Sequence, residues 1–187
     1  DGRDFTWSTT DEPHATRRKI ILAKHPEIAK LFGPEPLTLP IVFVIVGLQL
    51  CFSWYSARLS WPALILFAWT VGGTLNHSLQ LAVHELSHNL AFPSPVWNQI
   101  LAIFANTPTG FASAVTFQKY HMEHHQLQGV DGVDTDIPVS CEVNNFTNSL
   151  MKIIWCGVHA CCEPFRPMIV KPKTLGKSEL FNWFGAI

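Results

Sequence analysis

Charge is what this sequence has least of. Only 14% of its 187 residues are Asp, Glu, Lys or Arg, against roughly 25% in an average soluble domain. Hydrophobic residues make up 48%, so the shortage of charge points toward lipid. The net charge of −1, with no stripe of Lys or Arg, excludes a nucleic-acid partner. Cysteine is sparse and odd in number: Cys51, Cys141, Cys156, Cys161 and Cys162. Cys161 and Cys162 are adjacent and not in a CxxC pattern, which argues against a zinc ribbon. A reducing, cytosol-facing setting fits these thiols better than a disulfide framework does. The first apolar run begins near Leu39 behind a polar segment, so no secretory signal peptide is expected. The chain starts without methionine and stops after an apolar, aromatic stretch; both ends read as cut, as in part of a longer protein. There is no internal repeat.

What is present is two long apolar runs. Residues 39–58 are apolar apart from Gln49 and the polar edge, and residues 61–83 form a second run after Trp61-Pro62. Each approaches the roughly 20 residues that cross a bilayer. The short break at Leu59-Ser60 makes them a helical hairpin whose ends return to one side. Arg17, Arg18 and Lys19 place that side in the cytosol by the positive-inside tendency. Residues 1–38 precede the hairpin as a cytosolic or interfacial region, with Asp11 as a helix N-cap before Pro13. Residues 96–105 are apolar but too short to span, and read as an interfacial helix. Residues 114–125 read as helical, and Gly129 to Pro138 as a loop. The fold class is therefore all-α: a membrane hairpin with interfacial and cytosolic helices.

Five of the nine histidines fall in two short boxes, His84-Glu85-Leu86-Ser87-His88 and His121-Met122-Glu123-His124-His125. On a helix, His84 and His88 share one face, and His121 shares a face with both His124 and His125. His124 and His125 point about 100° apart, from ~3.6 residues per turn. Neutral imidazole is the commonest protein metal ligand. Five imidazoles exceed what one tetrahedral zinc needs, so a shared two-metal site is the economical reading. Iron suits it, although ligand softness alone leaves zinc and copper open. His77, seven residues before His84, is a candidate for a metal-supporting role or a buried hydrogen bond. His14, His25 and His159 are isolated and read as surface or hydrogen-bonded residues. Glu85 and Glu123 should point away from the histidine face. Asp131, Asp134 and Asp136 lack the Gly and Glu positions of an EF-hand loop. Asp134 or Asp136 suits a carboxylate bonded to a ligand histidine, or an Asx-type turn.

Two other classes compete. His84-Glu85-Leu86-Ser87-His88 matches H-E-x-x-H, the helix of zinc metalloproteases, with Glu85 as general base. That reading leaves the second box unexplained. A catalytically silent membrane segment, binding no metal tightly, is the third.

The two boxes on a membrane hairpin resemble the first two histidine boxes of the membrane fatty-acyl and lipid desaturases. Asp4-Phe5-Thr6-Trp7, Asp11-Glu12-Pro13-His14-Ala15-Thr16-Arg17-Arg18 and Ile21 to Ile28 resemble the amino-terminal region of the sphingolipid Δ4-desaturases. So do Asn76-His77-Ser78, Phe117 to His121, Gly132 to Pro138 and Phe165-Arg166-Pro167. The resemblance covers roughly residues 4–175, with Cys161-Cys162 a departure. It implies residues 1–38 as a sphingolipid-desaturase-type region and 39–187 as a partial membrane desaturase domain. It also implies insertion of a trans 4,5 double bond into dihydroceramide, giving ceramide. The implied cofactors are O2, two Fe ions in a di-iron centre, and electrons from NADH through cytochrome b5 and its reductase. The implied location is the endoplasmic reticulum membrane, with the boxes facing the cytosol. His84, His88, His121, His124 and His125 carry over as iron ligands. The family's third box is not in this sequence, so the segment alone is expected to be inactive. Some relatives also hydroxylate at C4.

Overall fold

The computed structural model describes residues 13–130, 132–162 and 165–185. All regular structure among them is helical. The expected N-cap at Asp11 and the loop residue Asp131 lie outside the described residues. Helix α1 (Pro13–Lys24) is followed by a 3-10 turn (Pro26–Leu31) and then by α2 (Thr38–Ser56). A short turn leads to α3 (Trp61–Phe67), a π-helical segment (Ala68–Gly72) and α4 (Gly73–Ser87), which run without a break. Helices α5 (Pro95–Asn106) and α6 (Ala114–Gln126) follow, then α7 (Ser140–Asn145), α8 (Ser149–Cys162), α9 (Arg166–Val170) and α10 (Lys177–Gly185).

Helix α2 is the one described helix with the length and apolarity to cross a membrane by itself. The second helical stretch differs from expectation: it runs past residue 83 to Ser87, and its backbone changes register at the π segment. Gly72-Gly73 sits at that change, where glycine lowers the cost of a distorted helix. The Gly72 carbonyl receives a hydrogen bond from Gln49 Nε2 at 3.3 Å. That explains the one amide in the middle of an otherwise apolar helix. Val42 and Val46 of α2 pack against Leu79 and Val83 of α4, while Phe52 meets Phe67 edge-on at 5.1 Å. Residue numbers rising on one helix and falling on the other make the pair antiparallel. The turn closes with Arg58 lying 3.8 Å above the Trp54 ring. The outer face is bare: Val44, Trp54, Ile65, Leu66 and Trp69 are all more than half exposed. Such a surface is stable in hydrocarbon and costly in water.

The core joins α2, α4, α5 and α6 through Leu79, Val83, Leu86, Leu101, Ala102, Ala105 and Ala114. Helix α5 buries Asn98, Leu101, Ala102 and Ala105 and leaves Val96, Trp97 and Ile100 outside. Between α5 and α6 the chain bends by 117°. Such a bend strands backbone donors and acceptors, and here a fully buried side chain meets them. Asn106 Oδ1 accepts from the backbone N–H of Ser113 (2.8 Å) and Ala114 (3.1 Å). Its Nδ2 donates to Thr109 Oγ1 (2.6 Å) and the Phe111 carbonyl (2.9 Å). Asn182 of α10 donates to Asn106 Oδ1 at 3.1 Å and accepts from Val115 N–H. Asn98 does the same service between α4 and α5, capping the N–H groups of Ala91 and Phe92.

Asn106→Ala leaves several buried groups without partners. We expect it to cost at least about 1–3 kcal/mol, the usual penalty for one such group. Thermal unfolding in detergent measures this; an unchanged midpoint would contradict the assignment.

Candidate metal centre

Helix α4 buries Leu79, Val83, Leu86 and Ser87 against its neighbours. The adjoining face, carrying His84 and His88, is thereby turned toward α6. The helix stops at His88, and Asn89 takes a left-handed φ of 60° that reverses the chain. Asn tolerates this conformation better than most residues. Helix α6 buries Ala114, Val115, Tyr120 and His121. Gln118 Nε2 donates to the Ser87 carbonyl at 3.1 Å, fixing α6 to the last turn of α4.

The two boxes meet. His121 Nε2 lies 2.9 Å from His88 Nε2 and 3.0 Å from His125 Nε2. His84 joins them, and these four residues offer ring nitrogens that all lie within 4.8 Å of one another. The Phe117 ring stacks on His121 at 4.9 Å and holds its plane. His124 projects about 100° around the helix from His125, with its ring 5.4 Å from that of His125 and 6.1 Å from that of His121. Its Nδ1 donates to Asp134 Oδ1 at 2.9 Å and lies 3.6 Å from Asp136 Oδ2. The second box thus splits between a four-histidine group and a His124–Asp134–Asp136 group.

Burial lowers the pKa of His121 to about 4, with the neighbouring rings of His84, His125, His88 and His124 adding to the effect. His88 is lowered too, first by burial and then by His84. His121 and His88 are therefore neutral at pH 7. Two neutral rings satisfy each other with one N–H, but His121 Nε2 faces two partners at once and can donate to only one. A cation among the three nitrogens resolves the conflict by accepting every lone pair. The residues present therefore fit a metal, and the nitrogen-rich set suits a first-row transition ion better than Ca²⁺ or Mg²⁺. Burial pushes the Asp134 carboxyl up, but the Gly129 N–H, His124 and the Asp136 N–H outweigh it and hold it below the usual carboxylate range. Asp134 is fully buried and ionised, so it fixes His124 with the proton on Nδ1 and Nε2 free.

Other candidates fall elsewhere. Glu85 is half exposed and meets His84 Nδ1 at 2.9 Å. Glu123 leaves the cluster and binds Lys171 and Lys173. His77 is exposed on α4, so the buried hydrogen bond considered for it is not formed. His25 pairs with Glu27 at the surface, and His159 packs against Trp155. The side chain of His14 lies outside the described residues. Sequence reasoning missed the clamp that steadies the aspartate loop. Arg166 donates through Nε and Nη2 to the two oxygens of Glu142, and Nη2 also donates to the Ile137 carbonyl. Burial opposes ionisation of Glu142, but Arg166, the Val139 N–H and Trp155 hold it at about 2. An arginine set between Phe165 and Pro167 was the available signal.

Beside the cluster is a cavity of about 420 Å³. Phe117, Met168, Leu175 and Trp183 make most of its surface apolar, while His121, Asn76, Gln80 and Asp136 give it polar points.

The sequence profile of the fatty acid desaturase family matches residues 59–157. That of the sphingolipid Delta4-desaturase family matches residues 1–37. A sphingolipid delta(4)-desaturase DES1-like protein of Oryza sativa subsp. japonica is 50% identical over 96% of this chain and 55% of its own length. Sphingolipid delta(4)-desaturases DES1 of Drosophila melanogaster and Homo sapiens are 44% and 40% identical, each over 96% of this chain and 56% of their own. The chain thus spans a little over half the length of these relatives. No solved structure matches it.

Asp134→Asn should weaken metal binding by about 10–100-fold, read as metal retained per chain after dialysis. His159→Ala should leave it unchanged, and equal retention in all three proteins would refute a supporting role for Asp134. The metal-free chain should also respond to pH. The folded pKa of His121 is depressed, so its contribution to stability is complete above the unfolded value of about 6.5. It is lost as pH falls toward about 4. A thermal midpoint flat across that window would contradict the buried, neutral ring.

Proposed function

Because the chain belongs to the fatty acid desaturase family, we propose that it forms part of a sphingolipid Δ4-desaturase, converting dihydroceramide to ceramide. The observation that carries the reading is the meeting of His88, His121 and His125 nitrogens from two boxes 33 residues apart. The profile match at residues 1–37 and the relatives' names narrow the substrate to a sphingolipid. His84, His88, His121, His124 and His125 are the proposed ligands of a di-iron centre. When bound, that centre supplies the O2-dependent oxidation of an unactivated C–H bond, which acid and base side chains cannot achieve at neutral pH.

The chain's own residues hold His88 and His121 neutral, orient the imidazoles and exclude water. Phe117 fixes the plane of His121, and Asp134 fixes the tautomer of His124. The apolar cavity at His121 receives the lipid chain, and its wall of Phe117 and Trp183 keeps water from the reacting carbons. In the net reaction C4 and C5 each lose a hydrogen and O2 becomes two waters. Two electrons from NADH, through cytochrome b5 and its reductase, and two protons complete the balance. The family is membrane-bound, and α2 provides a spanning helix. The endoplasmic reticulum membrane, with the histidines on its cytosolic side, is the proposed location.

A zinc protease needs His84, His88, one further ligand and Glu85 as base. It gives no reason for two more imidazoles, from His121 and His125, to stand against the pair, and a silent membrane segment gives no reason for any of the four to converge.

In its full-length context, in a cell lacking its own desaturase, the protein should make ceramide from dihydroceramide. His124→Ala should abolish this at unchanged protein level, and His159→Ala should be close to neutral. Glu85→Gln should cost the desaturase less, since Gln can still accept from His84 Nδ1, whereas a protease would lose its general base and nearly all turnover. Undiminished ceramide synthesis by His124→Ala would rule out the di-iron assignment.

A further inference from the structure

Helix α1 and the following 3-10 turn take no part in the metal centre. The chain folds back across His25, whose N–H bonds the Ile21 carbonyl at 2.8 Å and whose carbonyl accepts from Ile28 N–H at 3.2 Å. Between the two elements lies an open cavity of about 310 Å³. Arg17, Arg18, Ile21 and Leu22 of α1 line it, with Ile28 and Phe32 from the 3-10 turn and its end. The Arg18 guanidinium lies 5.5 Å from the centre of the Phe32 ring.

The surroundings of this cavity are of one kind. Arg17, Arg18, Lys19, Lys24 and Lys30 are exposed, and Glu27 and Glu35 are the acidic residues among positions 16–37. Ile20, Ile21, Phe32 and Leu37 are about half exposed, and Leu31 is 83% exposed. Bases interleaved with bare apolar side chains are unfavourable in water, and they suit the boundary between headgroups and acyl chains. The spanning helix α2 begins at Thr38, one residue beyond Leu37, so the segment is tethered at that boundary. The backbone N–H of Glu35 also donates to the Leu90 carbonyl at 2.6 Å, which ties it to the end of the first histidine box.

We propose that this cavity is a binding site for an anionic phospholipid of the bilayer. Arg17 and Arg18 take the phosphate, with guanidinium geometry suited to two oxygens. Ile21, Ile28 and Phe32 take the upper part of an acyl chain. Lys19, Lys24 and Lys30 add attraction to the charged leaflet. The proposal rests on the membrane reading of α2 and is independent of the substrate and of the metal.

The test uses the whole chain in lipid nanodiscs, made of phosphatidylcholine with or without phosphatidylserine. Amide hydrogen exchange over residues 17–32 is the measurement. Phosphatidylserine should slow exchange there by about fivefold per engaged arginine, and raised salt should reduce the effect. In the Arg17→Gln/Arg18→Gln protein the slowing should shrink to the smaller part that Lys19, Lys24 and Lys30 supply. A protein that protects residues 17–32 in phosphatidylserine discs as fully after the double substitution as before it would overturn the site. Identical exchange of the unaltered chain in both discs would overturn it as well. Soluble glycerophosphoserine should give no protection in phosphatidylcholine discs; full protection there would assign the cavity to a free headgroup instead of a bilayer lipid. Failure of the chain to enter discs at all would sink the membrane reading and this proposal with it.

Discussion

Two histidine boxes on separate helices can meet only if the chain between them turns back sharply, and that turn rests on one buried amide. Asn106 satisfies the backbone of the bend between α5 and α6 with both of its polar atoms, and Asn182 of α10 completes the set. Without it the bend would bury unpaired N–H and carbonyl groups, which a low-dielectric interior does not forgive. The direction of α6 follows from the bend. From the direction of α6 follows the approach of His121 and His125 to His84 and His88.

The membrane half of the structure obeys the same rule in a harsher medium. Polar backbone within hydrocarbon must find a partner inside the protein. The π segment at Ala68–Gly72 presents the Gly72 carbonyl, and Gln49 on the facing helix answers it. Hydroxyls of Thr70, Thr74 and Ser78 bond carbonyls four residues back along the same helix. Gln49, Thr70, Thr74 and Ser78 are thereby spent on backbone, and much of the outer face is left to Trp, Leu and Ile.

Electrostatics at the cluster work by withholding charge. Burial and mutual repulsion keep His121 and His88 neutral. Of the nearby carboxylates only Glu85 meets the four-ring group, at His84; the others are engaged elsewhere, Asp134 with His124, Glu123 with two lysines and Glu142 with Arg166. Neutral nitrogen donors with a separate, ionised support on one of them make a site that favours a cation of intermediate softness. The adjoining cavity has little to bind except an apolar chain.

The sequence by itself determined the elements. Low charge and two apolar runs announced the α2 to α4 hairpin, and the i, i+4 and i, i+3 spacings put each box on a helical face. Both follow from local periodicity, which is a property of neighbours along the chain. Asp134 was legible as a carboxylate for a ligand histidine because it follows the box closely. Tertiary structure decided what periodicity cannot carry. It paired His124 with Asp134, exposed His77, and gave Asn106, Asn182, Glu142 and Arg166 their duties. Helices α9 and α10 were also not expected, because each is short and holds its place by contacts with α6 and the aspartate loop. These outcomes depend on partners dozens of residues distant, and packing alone brings such partners together.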